Sequence, residues 1–453
     1  MKQEGQNKKA LTKSIAEGSA AAISSGITVN YITPFALKLN ATEKDIGFLS
    51  SLTGIASPIA QLIGSKLIKT YSRKKIVLVA VLFQALTWLP IAALAIIKIL
   101  YPHTIPLVVP FIVLYALLAA FGGIAHPAWF SWMGDLVPEK ERGSYFARRN
   151  IIIGVIEIVA MLLGARILLL AESTNQAIAG FIALFLIAAI SRLFSLTMLL
   201  KQYSPHPIPR SHYTTSFKEV KNNNPNFLKF MKYQLYFNLA IMIASPFFAV
   251  YMLNILHYTT VQYTLVVISS TVFYLLWTPV LGKFSDTYGN KPLLIIANTC
   301  FILSPLAWIL LKTPLLLIII PQFIAGLANA AFVLAFTNIT YQNLKEEDRG
   351  TGVAYLNIAV GIGTFIGSLI GGYLLNYLPK EATSYFIVFF LAALSRALVA
   401  LIFLPGIQEG RKVSTFHILH HSHIQPFKSL TAELSFLAHE VNPAQYLKRK
   451  KVH

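Results

Sequence analysis

The chain is predicted to be an all-α integral membrane protein, with twelve transmembrane helices in two pseudo-symmetric six-helix bundles. Three observations predict this. Of 453 residues, 55% are hydrophobic and only 12% are charged, whereas a soluble domain carries about 25% charged residues. The apolar residues gather in runs of about twenty, enough helix to cross a bilayer core of roughly 30 Å. The chain also contains one stretch twice. At a constant offset of 207, Glu139, Arg142, Gly143, Ala147, Asn150, Ile151, Gly154, Gly164 and Leu168 meet Glu346, Arg349, Gly350, Ala354, Asn357, Ile358, Gly361, Gly371 and Leu375. A duplicated set of membrane helices is a transporter plan.

In chain order, the expected spans of the first half are 14–37, 45–68, 76–99, 106–132, 149–171 and 177–200. Those of the second are 230–254, 262–283, 292–311, 315–340, 351–376 and 383–405. The domains are therefore an N-terminal bundle (1–200), a linker (201–229), a C-terminal bundle (230–405) and a tail (406–453). Pro205, Pro207, Pro209, Asn222–Asn224 and Pro225 make 201–229 a polar linker rather than a span. In the tail, Phe427, Leu430, Leu434, Leu437 and Val441 recur at helical spacing before Lys448–Lys451, which predicts an amphipathic helix on the membrane surface. His417, His420, His421 and His423 have no adjacent acid or cysteine, and no metal site or cofactor is expected. Cys300 is the single cysteine, which excludes an intrachain disulfide and a cysteine metal cage. The start, MKQEGQNKKALTK, is too charged for a cleaved signal peptide.

Charge placement orients the spans. Thirty of the 38 basic residues fall on the termini, the linker and alternate loops. The positive-inside rule then makes both termini cytoplasmic, in the plasma membrane of the cell. The net charge of +20 reflects topology and anionic headgroups, and no nucleic-acid partner is expected.

Two further repeat pairs occur in the same order. SKLIKTYSRKK (Ser65–Lys75) matches GKFSDTYGNKP (Gly282–Pro292), and LIAAISRLFS (Leu186–Ser195) matches FLAALSRALV (Phe390–Val399). Over roughly residues 14–405 the chain resembles the major facilitator superfamily. Members carry Gly-x-x-x-Asp-Arg-x-Gly-Arg-Lys-like loops between helices 2 and 3 and, more weakly, between helices 8 and 9. The second copy fits at Gly282, Asp286, Gly289 and Lys291. The first departs, with Lys69 in place of the acid and Ser72 in place of the glycine, but keeps Arg73, Lys74 and Lys75. The resemblance implies two bundles about a cavity lined by helices 1, 4, 7 and 10. It also implies a cytoplasmic gate. Loop 2–3 would bring Lys69, Arg73 and Lys74 to Glu346, Glu347 and Asp348 of helix 11. Loop 8–9 would bring Asp286 to Arg148 and Arg149 of helix 5. The Gly-Pro-rich helix 5 signature of drug exporters is missing, since this helix has no proline.

An ionisable group inside a span needs a partner or water, so each is a functional candidate. Glu17, His126, Glu157 and Arg192 are the candidates for ion pairing or proton coupling, with Glu157 and Arg192 expected to pair at similar depth. Arg192 and Arg396 share a Ser-Arg context in both halves, which suggests an inherited structural role. Asn30, Tyr31, Arg166, Asn238, Tyr274, Trp277 and Asn329 are candidate substrate contacts. Arg166, if it faces the cavity, favours an anionic solute. Thr33-Pro34 and Ser245-Pro246 are expected to bend helices 1 and 7. Gly361, Gly363, Gly367, Gly371 and Gly372 read as a packing surface.

The expected function is secondary active transport of a small solute by alternating access, by a monomer, with a proton as candidate coupling ion. No Walker loop is present, so ATP is not the direct driver. The alternatives are a lipid flippase or a transport-dead sensor on the same fold, or a polytopic enzyme. An enzyme would have only Glu43, Asp45, Glu172 and Glu381 as acids on the outer side.

Overall fold

The computed structural model describes residues 2–102, 105–137, 142–205, 217–345 and 348–409. Among them, twelve helices are long and apolar enough to cross a membrane. They are α1 (Lys9–Lys38), α2 (Glu43–Leu67), α3 (Arg73–Leu100), α4 (Val108–Leu136), α5 (Arg148–Ser173) and α6 (Ala177–Leu200). The second half has α7 (Pro225–Ile255), α8 (Thr260–Tyr288), α9 (Asn290–Leu310), α10 (Pro314–Gln342), α11 (Arg349–Tyr377) and α12 (Ala382–Gly406). With an even number of spans, Lys9 and Gly406 share one face, called here the terminal face; the other is the distal face. Between the halves a short helix, Phe217–Asn223, occupies part of the linker. Pro225 then opens α7 earlier than the span pattern suggested, because proline suits the first helical turn. The tail from 410, with its amphipathic and histidine-rich stretches, lies outside the described residues, as do Glu346 and Glu347.

Local chemistry repeats between the halves. Thr42 and Asp45 form a capping box at the start of α2, and Thr259 and Gln262 form one at the start of α8. Before α3, Ser72 caps the helix by accepting from the Lys75 N–H. Before α9, Gly289 takes φ 91°, a left-handed conformation that favours glycine. The two connections therefore differ: residues 68–72 join α2 to α3, whereas Gly289 alone joins α8 to α9, and only the second requires a glycine.

Each of these loops is tied to the last helix of its own half. Lys74 Nζ donates to the carbonyls of Leu200 and Gln202, both at 2.8 Å. In the second half, the backbone N–H groups of Asn290 and Lys291 donate to Glu409 Oε2 at 2.5 and 2.9 Å. Lys291 Nζ donates to the Pro405 carbonyl at 3.3 Å.

Helices α1 and α7 are both broken. Regular helix in α1 ends at Gly26 and resumes at Ile32 after a 3₁₀ turn. In α7 it ends at Met242 and resumes at Phe247, because Pro246 has no N–H to continue the ladder. Arg396 of α12 donates to the carbonyl of Ile241 beside this break, at 3.0 Å, and to that of Phe301 at 2.7 Å.

Glycines set the closest helix contacts. A Cβ at Gly363, Gly367 or Gly371 of α11 would lie 2.2, 2.2 and 2.0 Å from the carbonyls of Leu235, Leu239 and Ile243 of α7. A Cβ at Gly47 of α2 would likewise crowd α11, lying 2.7 Å from the Ser368 carbonyl. The repeat partners Gly164 and Gly371 do equivalent work: each leaves room for an aromatic ring at a helix break, where an added Cβ would lie 2.8 Å from Tyr31 and 2.5 Å from Phe247.

The apolar core shows which side is closed. On the distal side one buried cluster draws from both halves, joining Tyr31, Phe35 and Phe185 to Phe247, Tyr251 and Phe389. Toward the terminal face the clusters are separate, one around Phe230, Phe237 and Leu294 and two in the N-half around Trp132 and Met133. Apolar burial between the halves is thus concentrated on the distal side, while toward the terminal face α2 and α11 remain in contact, as between Gln61 and Asn357.

Candidate functional site

The distal seal is built from polar contacts as well as apolar ones. The Tyr31 hydroxyl donates to the Met161 carbonyl of α5 at 2.6 Å and meets Thr264 Oγ1 of α8 at 3.2 Å. Tyr263 donates to the Asn30 carbonyl at 2.7 Å, Thr260 to Glu172 at 2.6 Å, and Tyr385 to Glu43 at 3.2 Å. Tyr31 is fully buried. In this conformation it is therefore a component of the closed distal seal. Asn30 sits in the same seal, its amide directed to Met161 Sδ at 3.2 Å.

Inside the N-half bundle lies a buried polar chain. Arg149 Nη2 is 3.3 Å from Glu17 Oε2, and the Arg149 guanidinium covers the Trp129 ring at 4.6 Å. Ser195 Oγ donates to Glu17 Oε1 at 3.3 Å, Arg192 donates to Ser195 at 3.4 Å, and Arg192 also reaches Gln84. One carboxylate thus faces two guanidinium groups across α1, α5 and α6. The expected Glu157–Arg192 pair does not form. Glu157 is exposed and accepts from Ser25 at 3.0 Å, on the face of α5 that packs against Gly26 of α1.

Arg166 also departs from expectation. It is exposed on the same helical face as Val155, Val159, Leu162 and Leu170, all exposed apolar residues. Gly164, about 160° away around the helix, is the residue that meets Tyr31. Arg166 therefore points out of the bundle and gives no clue to substrate charge.

The wall of the opening toward the terminal face is amide-rich in the C-half. A cavity of about 180 Å³ is lined by Gln234 and Asn238 of α7, Phe332, Val333 and Phe336 of α10, and Asn357 and Val360 of α11. Asn238 Nδ2 donates to the Gln234 carbonyl at 2.8 Å and to Gln234 Oε1 at 3.3 Å. Gln234 is fully buried, and its Nε2 has no partner. Asn357 donates to Gln61 of α2 at 2.9 Å, tying the cavity to the N-half. Asn329 is exposed four residues before Val333, so it continues the same face of α10. Of the expected contacts, Asn238 lines this cavity and Asn329 extends its wall. Tyr274 and Trp277 pack with the apolar cluster of the C-half instead, Trp277 edge-on to Phe323. His126 is exposed and stacked beside Phe130. Gln234, Asn357 and Gln61 were missed as site residues. The spacing of Gln234 and Asn238 by four within an apolar run was the available signal for the first.

The described members of the expected terminal gate have local partners. Arg73 pairs with Asp135 at 2.5 Å rather than with α11. Lys74 is held by α6 carbonyls, Arg149 by Glu17, and Asp348 by Asn224 at 2.7 Å. Lys69, Arg148 and Asp286 are exposed.

A family profile described as the Major Facilitator Superfamily matches residues 15–270 and 233–439. The chain belongs to this superfamily. The superfamily fold recurs in solved structures of transporters. A single-substitution mutant of the nucleoside transporter NupG aligns with TM-score 0.68 at 16% identity, over 88% of this chain and 100% of that one. A bacterial homologue of the iron transporter ferroportin, inward-facing, gives 0.67 at 14%, over 89% and 98%. The D-xylose-proton symporter gives 0.64 at 16%, over 90% and 99%. At these identities the likeness is one of fold. No curated protein matches in sequence. As a superfamily member built of two pseudo-symmetric bundles, the protein is a secondary transporter that works by alternating access.

Proposed function

We propose that the transported solute is small, uncharged and rich in hydrogen-bonding groups, and that it docks against Gln234, Asn238 and Asn357. The observation that carries this is a cavity wall on which three side-chain amides, Gln234, Asn238 and Asn357, meet the rings of Phe332 and Phe336. No ionisable side chain lines the cavity, and Phe332 and Phe336 offer apolar faces for a ring. About 180 Å³ is below the roughly 300–1,000 Å³ of drug-sized sites, which suits a small solute. The nucleoside and D-xylose in the names of two structural neighbours are uncharged polar compounds of this kind.

In the same reading, both termini are cytoplasmic, the cavity opens to the cytoplasm in the plasma membrane, and the unit is a monomer. Glu17, set between Arg149 and Arg192, is the coupling carboxylate in preference to Glu157 or His126. Its protonation would leave two uncompensated arginines inside the N-half bundle and so bias the two-state equilibrium.

A thermal-shift screen of uncharged polar solutes against their carboxylate analogues tests the solute class. Uncharged compounds should stabilise the protein, and Gln234→Leu or Asn238→Leu should weaken the best of them about five- to tenfold. Stabilisation by charged compounds alone, or binding indifferent to both substitutions, overturns the assignment. For coupling, Glu17→Gln should abolish the response of uptake to a pH gradient while counterflow exchange persists.

A further inference from the structure

On the outside of the N-half bundle, where α2, α3 and α4 meet near the terminal face, runs a groove of about 320 Å³. Leu67, Tyr71 and Lys75 form its mouth, and Val79, Phe83 and Phe121 line its length. Ile76 and Ala80 are buried at its floor. The rings of Phe83 and Phe121 stack at 5.2 Å and close its inner end. From Lys75 to Phe83 is eight residues of helix, about 12 Å along the membrane normal. The groove therefore starts at headgroup depth and ends well inside the hydrocarbon.

The mouth is cationic. Residues 65–76 carry Lys66, Lys69, Arg73, Lys74 and Lys75 and no acid. Arg73 is neutralised by Asp135, and Lys74 is bound to the α6 carbonyls. Lys66, Lys69 and Lys75 are exposed and enter no ion pair among the described residues. Lys75 Nζ lies over the Tyr71 ring at 5.6 Å, so the lysine and the aromatic ring share the interfacial level. The start of α3 adds the positive end of its dipole at the same place.

We propose that this groove binds one anionic glycerophospholipid from the leaflet on the terminal side. One acyl chain lies along Val79 and Phe83, and the phosphate is held by Lys75 with Lys66 and Lys69. A chain of this shape and depth is what the bilayer supplies, and the unpaired lysines select the charge of its headgroup. The proposal rests only on the chain spanning a membrane, and is independent of the transported solute and of which side is cytoplasmic.

The test uses the full chain, purified in detergent and stripped of lipid, with binding followed by thermal shift and native mass spectrometry. The probes are dioleoyl-phosphatidylglycerol, dioleoyl-phosphatidylcholine and glycerophosphoglycerol, which lacks the chains. The phosphatidylglycerol should bind more tightly than the phosphatidylcholine, by about fivefold for each lysine engaged. Lys69→Gln with Lys75→Gln should bring the two lipids to equal affinity, and Val79→Trp, which fills the groove from an exposed position, should weaken both. Equal affinity of the two lipids for the unaltered protein overturns the proposal. So does full binding to the Val79→Trp protein, or binding of glycerophosphoglycerol as tight as that of the lipid, which would mark a surface phosphate site.

Discussion

Tyr31 of α1 and Thr264 of α8 meet across the two bundles with their hydroxyl oxygens 3.2 Å apart, inside a distal seal where Tyr31 is fully buried. Tyr31→Phe keeps the ring against Gly164 and removes this contact and the bond to Met161. The closed distal state should lose about 1–2 kcal/mol, enough to shift a balanced two-state population fivefold or more. Distances between spin labels on the distal ends of α1 and α8 should lengthen. Unchanged distances would show that apolar packing alone holds the seal.

Arg73 and Asp135 should behave as a buried pair. Their side chains are 7% and 5% exposed, so Asp135→Leu, which strands the arginine, should destabilise the protein by about 3 kcal/mol. Arg73→Leu combined with Asp135→Leu should recover much of that. Thermal unfolding of the three variants decides the matter, and a double variant as unstable as the sum of the singles would remove the coupling.

The polar chain of the N-half makes a prediction about which acid serves Arg192. Arg192→Leu should be non-additive with Glu17→Leu, because the two act through Ser195 within one network. It should be additive with Glu157→Leu, since Glu157 contacts Ser25 instead. Coupling of Arg192 to Glu157 in a double-mutant cycle would reverse this assignment.

The glycines of the repeat should differ sharply in tolerance. Gly371→Ala places a Cβ 2.0 Å from the Ile243 carbonyl, so α7 and α11 must separate, at a cost of a few kcal/mol. Gly154→Ala meets nothing within 4 Å and should be neutral or stabilise by up to about 1 kcal/mol through helix propensity. Similar melting shifts for both would mean that the close packing of α11 on α7 contributes little.

The fold was legible because its cause is written along the chain: apolar length gives the spans, and the 207-residue repeat gives the two halves. The broken helices were also signalled, since α1 carries Pro34 just after its break and α7 carries Pro246 at its break. The site was less legible because a polar residue in a span has several faces it can occupy, and only packing chooses among them. Glu157 meets Ser25, whereas Arg192 meets Ser195 and Gln84. Arg166 is in the membrane but outside the bundle. Asn30 and Tyr31 lie on the right helix, but in the closed gate rather than the open cavity. Gln234 and Gln61 went unnoticed because a neutral amide carries no charge to flag it, and Gln234's place at a cavity wall and Gln61's bond to Asn357 appear only once the helices are packed.

The Glu409 carboxylate that receives the backbone of Asn290 and Lys291 lies beyond the last span, in a stretch that protein engineering commonly trims. A chain cut at Gly406 would keep all twelve spans and still lose the acceptor for two amides at the start of α9. Fusion partners, affinity tags and fluorescent reporters at this end should therefore be joined well after Glu409. A truncated version that purifies poorly would then be reporting a lost helix cap, not a requirement for the tail itself.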